Sequence, residues 1–171
     1  MSTLNKIHWR HYLIYAIGAA ILYCIPVVIF LNRANFTQAW LLYIGNFLFL
    51  IIIVAFLFSF NNRRRQDAST MSMLAAGHIT TIAGIVIACL LSFILLTVLV
   101  PGYLHSGTAD KVLANAPANT IKDKTNGLSA MLFLNAIFGN VVAGSASSII
   151  FPFSLKRDQT KEKVPQKQAQ L

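Results

Sequence analysis

The amino-acid sequence predicts an all-α protein whose four helices cross a membrane as one bundle. Four stretches, residues 11–32, 34–62, 68–109 and 125–155, contain no Lys, Arg, Asp or Glu. A hydrocarbon core about 30 Å thick requires roughly 20 apolar residues to cross it as a helix, and each stretch contains such a run. The runs are too long and too continuously apolar for barrel strands, so helices must satisfy their backbone groups.

The predicted helices span residues 12–31, 40–60, 79–100 and 128–151, within a single membrane domain of residues 1–155. The first run exceeds the roughly 7–15 apolar residues of a signal peptide and is not followed by a small-residue cleavage site, so we expect it to be retained. It contains Pro26, which is expected to kink it. The third helix would begin earlier if Asp67, Ser69 or Thr70 is its N-cap.

The distribution of positive charge predicts that both termini are cytoplasmic. Ten of the fourteen basic residues lie in the N-terminal segment, in the turn between the second and third helices, and in the tail. These segments share one side of a four-pass chain, and cytoplasmic loops are enriched in Lys and Arg. Aromatic residues lie near the predicted membrane edges, as in interfacial belts: Trp9, Tyr12, Trp40, Tyr43 and Tyr103.

The longest connection, residues 101–127, lies outside in this orientation. Its one helical-looking piece is about residues 108–116, ended by Pro117. Because the connection has neither a disulfide nor a metal site to support a core of its own, we expect a cap or a mobile tether. The basic tail, residues 156–171, is expected to be disordered beyond about Asp158.

Small residues mark helix contacts in lipid because they let backbones approach closely. Two stripes with four-residue spacing predict a tight pairing of the third and fourth helices: Thr80, Gly84, Ala88 and Ser92 in one, and Ala136, Asn140, Gly144 and Ser148 in the other. A small-residue face lining a solute path is the alternative. The second helix has phenylalanines on several faces, and we expect it to present much of its surface to lipid.

Asn46, Asn135 and Asn140 are the candidate polar helix contacts, or alternatively the residues of a solute pathway. Asn46 and Asn135 both lie about seven residues from the outer surface, so a hydrogen bond between them is predicted, while Asn140 lies near mid-depth. Interhelical hydrogen bonds of this kind stabilise by on the order of 0.6 kcal/mol. A role in helix contact is favoured over contact with a substrate.

Histidine and arginine residues cluster near the predicted cytoplasmic surface. His8, His11 and His78 could converge there on haem or metal, but such sites normally need histidines inside the span. Neither a CxxC pair nor metal-ligand spacing is present, so no cofactor and no metal are assigned. Arg63, Arg64 and Arg65 are expected to anchor the topology through attraction to lipid headgroups.

Several function classes are disfavoured by the sequence. The net charge of +9 does not point to nucleic acid, because the basic residues flank apolar spans. Nucleotide-binding Walker loops, HExxH, GxSxG and clustered carboxylates are all missing, so we expect no enzyme. The predicted helices also contain no acidic residue, which a small proton-coupled exporter would ordinarily carry.

The order of parts over residues 40–105 carries a family resemblance. An aromatic-rich helix is followed by an Arg-rich turn at residues 61–67, by a long third helix opening on residues 73–77, and by Pro101, Gly102 and Tyr103 at its exit. This layout resembles a family of four-helix membrane proteins of unknown function from bacteria of the Bacteroidetes group. The resemblance implies the four-helix fold and an inner-membrane location.

Together these features predict a small multi-pass protein of the cell inner membrane. Its partners would be the lipid bilayer and either other membrane proteins or a second copy of the chain. A structural or accessory subunit acting through helix–helix contacts is the favoured function. A small oligomeric channel or transporter for a neutral or weakly polar solute, and a haem- or metal-binding protein, remain alternatives. Dry packing around Asn140 would favour the subunit, and a water-filled cavity there would favour transport.

Overall fold

The computed structural model describes residues 9–63, 69–105, 109 and 111–161, and for residues 63 and 156–161 it describes the backbone alone. Helix α1 spans Trp9–Arg33 and α2 spans Trp40–Arg63, after a short 3-10 turn at Phe36–Gln38. Helix α3 spans Thr70–Leu99. The fourth span consists of α4 (Leu128–Leu134), a π-helical turn (Asn135–Gly139) and α5 (Asn140–Lys161).

Four segments of the described chain are long and apolar enough to cross a membrane: Trp9–Arg33, Phe36–Asn62, Thr70–Leu99 and Leu128–Leu155. The predicted all-α, four-helix fold is therefore confirmed. Helix α3 begins at Thr70 rather than at residue 79, because the Ser69 hydroxyl caps it by accepting a hydrogen bond from the Ser72 backbone N–H at 3.1 Å. Helix α5 continues past residue 151 to Lys161, with Pro152 inside it.

The bundle places α1 against α2 and α3, and the fourth span against the same two helices on their other side. The core combines large rings from α2 with small residues from its neighbours. A Cβ on Gly84 of α3 would lie 2.9 Å from the Phe49 ring and 3.5 Å from the Ala16 carbonyl oxygen. The predicted small stripe of α3 thus faces α1 and α2 at Gly84, and not the fourth span.

Helix α2 has one buried face and one exposed face. Phe49 and Phe56 are fully enclosed, and Phe60 is nearly so, while Phe47 and Phe58 are exposed. The prediction that α2 presents much of its surface to lipid agrees with its exposed side chains, such as Tyr43 and Phe47, while Phe56 packs against the Tyr12 and Tyr15 rings of α1. Large side chains fill the space that small facing residues leave, which gives dense packing without a hydrophobic driving force between helices.

The connection after α3 forms a cap, which we define as residues 109 and 111–127. Its segment around Ala114 pairs with the turn between α1 and α2: the Ala114 N–H donates to the Ala34 carbonyl at 2.8 Å, and the Ala114 carbonyl accepts from the Phe36 N–H at 3.0 Å. Of the predicted helical piece at residues 108–116, the described residues are not helical. Pairing with the neighbouring turn satisfies their backbone groups instead.

Two side chains of the cap complete helix ends. The Lys111 ammonium donates to the Leu31 carbonyl at 3.2 Å, at the carbonyl-rich end of α1. At the start of α4 the Asp123 carboxylate accepts from the Gly127 N–H at 2.9 Å and from the Ser129 hydroxyl at 2.6 Å. Partial burial opposes ionisation of Asp123, but hydrogen bonds from Ser129, Gly127 and Thr125 outweigh it and hold the pKa of the carboxyl below its usual value.

Candidate membrane-embedded site

A groove of about 670 Å³ opens sideways between α2 and the fourth span, in the half of the bundle nearest the cap. We call it the α2 groove. Its lining is formed by Tyr43, Asn46, Phe47, Leu50, Leu134, Asn135, Phe138, Gly139, Val142 and Ala143. Two of the three asparagines singled out from the sequence therefore lie in one site, among apolar and aromatic side chains.

The π-helical turn shapes the fourth span where it borders this groove. The turn covers Asn135–Gly139, so it contains one lining asparagine and the lining glycine. An extra residue in one turn widens the helix and leaves backbone groups to be satisfied locally. Here the Asn140 side-chain Nδ2 donates to the Ala136 carbonyl at 3.0 Å. Turns of this type occur frequently at functional sites.

Asn135 is held in place by a tyrosine from α1. The Tyr23 hydroxyl donates to Asn135 Oδ1 at 3.2 Å. Tyr23 is fully buried, and its ring reaches the fourth span past Gly45 of α2, where a Cβ would lie 3.0 Å from Tyr23 Cδ2. The sequence analysis missed this role. A tyrosine in the middle of an apolar span was the available signal, because its hydroxyl needs a partner in lipid.

Asn46 does not pair with Asn135 as predicted. It lies over Gly139 instead, where a Cβ would be 2.7 Å from Asn46 Cγ. Asn46 is 8% exposed, and its Oδ1 is buried without a hydrogen-bond partner among the described residues. A common depth was therefore not enough to bring the two amides together, because Asn135 is turned toward α1.

Comparison of the chain with protein-family models, with curated proteins and with solved structures finds no match.

Asn140 lies apart from the α2 groove and is fully buried. Its Oδ1 has no hydrogen-bond partner in the described part of the chain, and its Nδ2 is used by the Ala136 carbonyl. The groove lining includes the neighbouring Gly139 and Val142 but not Asn140. The immediate surroundings of Asn140 are thus densely packed.

On its other side the fourth span packs closely against α3 through two glycines. A Cβ on Gly77 of α3 would lie 2.8 Å from Ser148 Cβ, and a Cβ on Gly144 of α5 would lie 2.9 Å from Thr81 Cβ. Each helix thus places a hydroxyl-bearing side chain against a glycine of the other. The predicted contact of the fourth helix through Gly144 and Ser148 is present, although its α3 partners are Gly77 and Thr81.

The histidines form no metal cluster in the residues that the structure describes. The His11 ring packs edge-on against Tyr15 at 4.9 Å between centroids, and His78 Nδ1 lies 2.9 Å from the Leu74 carbonyl oxygen of its own helix. Among those residues, three His, Cys, Asp or Glu side chains nowhere approach closely enough to hold a metal ion. His8 lies outside the described residues.

The predicted headgroup contacts of the arginines stay a prediction. Arg63 ends α2, but its side chain is outside the described set. Arg64 and Arg65 lie wholly outside it.

Proposed function

We propose that this protein is a structural or accessory subunit of the cell inner membrane that acts through helix–helix contacts, with another membrane protein or with a second copy of itself. The observation that carries the proposal is the dense packing at Asn140. A path for a polar solute would need polar atoms facing water at mid-depth, and this asparagine is fully enclosed.

The hydroxyl groups between α3 and the fourth span support the same interpretation, because they lie in helix contacts. The Ser147 hydroxyl donates to the Ala143 carbonyl at 2.5 Å, within its own helix. Ser148 lies against Gly77, and Thr81 lies against Gly144. Small and hydroxyl-bearing residues in such contacts are typical of helix association in lipid, where close approach stabilises by van der Waals packing.

Thiol accessibility at position 140 tests the proposal. The background variant carries Cys24→Ala and Cys89→Ala, and a single cysteine is then introduced as Asn140→Cys. In native membranes we expect a charged, water-soluble methanethiosulfonate reagent to leave this cysteine unmodified. Asn119→Cys, on the exposed surface of the cap, is the matched control and should react fully. Modification at position 140 as fast as at position 119 would favour a solute path and contradict the subunit proposal.

Isolation of the assembly is the complementary measurement. The full chain is purified in a mild detergent, and the mass of the complex and its protein composition are determined. We expect either a homo-oligomer or a stoichiometric membrane-protein partner. Photo-crosslinking residues at Ile14, Val86 and Ile150, which are exposed on three different helices, should yield adducts from one face only. A bare monomer without adducts from any face would contradict the proposal.

A further inference from the structure

The α2 groove differs in chemistry from two other grooves on the bundle surface. One, of about 210 Å³, lies between α1 and α3, and the other, of about 440 Å³, lies between α3 and the fourth span. Their linings are aliphatic and aromatic side chains with one cysteine each. The apolar acyl chains of ordinary phospholipids are complementary to such surfaces. The α2 groove adds two carboxamides, which an acyl chain cannot satisfy.

The two carboxamides present hydrogen-bond donors rather than acceptors. Asn135 Oδ1 already accepts from the Tyr23 hydroxyl, which leaves Asn135 Nδ2 for another partner. Asn46 lines the groove while its Oδ1 is enclosed, so its amide nitrogen is the polar atom turned toward the opening. An amide donor left without a partner in an apolar site is unfavourable. The complementary ligand therefore carries hydrogen-bond acceptors.

The depth and length of the groove limit what can occupy it. Asn46 lies six residues into α2, about 9 Å along the helix at 1.5 Å per residue, which is below the ester groups of a phospholipid when Trp40 marks the interface. Toward the opposite membrane face, the Phe58 and Phe151 rings close the same interface with centroids 5.9 Å apart. The groove is thus confined to one leaflet and is too short for a helix lying along the whole span.

We propose that the α2 groove binds a membrane quinone. Its flat ring would lie against the aromatic walls formed by Tyr43, Phe47 and Phe138, and its carbonyl oxygens would accept hydrogen bonds from the amides of Asn46 and Asn135. The isoprenoid tail leaves through the lateral opening into the lipid. A ring with carbonyl groups satisfies both donors at this depth, whereas a sterol-type alcohol offers a single oxygen. The inference concerns binding and is independent of the proposed subunit role.

Tryptophan fluorescence provides the test. Trp40 precedes Tyr43 by about one helical turn, so it lies at the cap end of the groove, and Trp9→Phe removes the other tryptophan. The purified full-length chain in phosphatidylcholine nanodiscs is titrated with a 2-methyl-1,4-naphthoquinone that carries one prenyl group. We expect saturable quenching of Trp40. The matching prenylated 2-methylnaphthalene, which lacks the carbonyl groups, should compete at least tenfold less well.

Three variants locate the binding. Asn46→Leu removes one donor and Val142→Phe fills the groove, and each should weaken binding at least tenfold. Ile149→Phe, on the same face of α5 about two turns further on, should bind as the parent does. Far-ultraviolet circular dichroism and the melting temperature establish that each variant is folded. If Asn46→Leu does not fold, the comparison of Val142→Phe with the parent still tests the proposal.

Three results would overturn the assignment. Quenching that rises without saturation, equally in all variants, would report partition into the bilayer only. Equal competition by the hydrocarbon would reduce the site to an apolar crevice. Tighter binding of a sterol or of a phospholipid than of the quinone would assign the groove to that lipid instead.

Discussion

The fourth span meets its two neighbours in opposite ways. Against α3 it packs at van der Waals distance, with Ser148 over Gly77 and Thr81 over Gly144. Against α2, in the half nearest the cap, it makes contact where Asn46 lies over Gly139, and a groove that two asparagines line opens beside this contact. The difference lies in the size of the facing side chains: glycine faces a short hydroxyl side chain in the first interface, whereas in the second Gly139 faces the longer Asn46 side chain and aromatic rings border the groove. Buried polar atoms without a hydrogen-bond partner among the described residues occur on both sides: Ser148 Oγ and Thr81 Oγ1 toward α3, and Asn46 Oδ1 toward α2.

The largest loss of stability is expected from overpacking the interface between α3 and the fourth span. Gly144→Ala would bring a Cβ to 2.9 Å from Thr81 Cβ, and neither atom can rotate away because both are attached directly to the backbone. We expect destabilisation of about 1–3 kcal/mol from overpacking, measured as the free energy of unfolding in mixed micelles. Gly18→Ala is the control, since its nearest neighbouring atom is 4.0 Å away. Equal stability of the two variants would refute the contrast between the interfaces.

A smaller effect is expected from the corresponding change at the groove. Gly139→Ala presses on the Asn46 carboxamide, which is a side-chain terminus with open space beside it. The amide can rotate into the groove, so we expect a loss below about 1 kcal/mol, together with a reduced groove volume. The same unfolding assay measures the loss. If Gly139→Ala costs as much as Gly144→Ala, the groove is as rigid as the dense interface and the comparison fails.

The hydrogen bond between Tyr23 and Asn135 should contribute still less to the free energy of unfolding. Tyr23→Phe removes the donor to Asn135 Oδ1 and retains the ring beside Gly45. Interhelical hydrogen bonds in membranes contribute about 0.6 kcal/mol on average, and we expect a loss of that order. Tyr43→Phe, which changes an exposed ring, is the control and should leave the free energy of unfolding unchanged. A loss for Tyr43→Phe as large as for Tyr23→Phe would remove the special role of Tyr23.

The smallest expected effect is a loss of local stability in the cap at acidic pH. The folded-state pKa of Asp123 is below its unfolded value, so the stability that its carboxylate contributes is present above the unfolded pKa and is lost as the pH falls through the folded pKa. We expect amide hydrogen exchange at Gly127 and Ser129, corrected for its intrinsic pH dependence, to accelerate in that window. Asp123→Asn should remove the pH dependence, and an unchanged profile in this variant would rule out Asp123 as its source.

The sequence could predict the spans because exclusion of charge from lipid acts on each helix separately. Even the early start of α3 at Thr70 was signalled by Ser69, a local cap. It could not predict which rings face lipid, since Phe49 and Phe58 are equally apolar and only the bundle decides that the first is buried. Positions that face lipid and positions in the protein core both favour apolar side chains, so hydropathy does not distinguish them.

The contacts of the candidate site residues could not be predicted from the sequence. Asn46 and Asn135 were selected by depth, which follows from counting residues along a helix. The direction in which each side chain points around its helix axis cannot be counted in this way. For Asn135 it depends on the π-helical turn and on the hydrogen bond with Tyr23, which orients Asn135 toward α1. The helical piece predicted at residues 108–116 was wrong in its described residues for a similar reason: the backbone around Ala114 forms hydrogen bonds with the distant Ala34 and Phe36, and local helix propensity carries no information about these partners.

The contact between Lys111 and the end of α1 also bears on the order in which the chain is assembled. Leu31 leaves the ribosome eighty residues before the lysine that binds its carbonyl. Until Lys111 has been synthesised, the carbonyls at the end of α1 must bind water or lipid headgroups instead. The lysine follows α3 in the chain, so this contact can form only after α3 has been synthesised, and a nascent chain stalled before residue 111 would lack it.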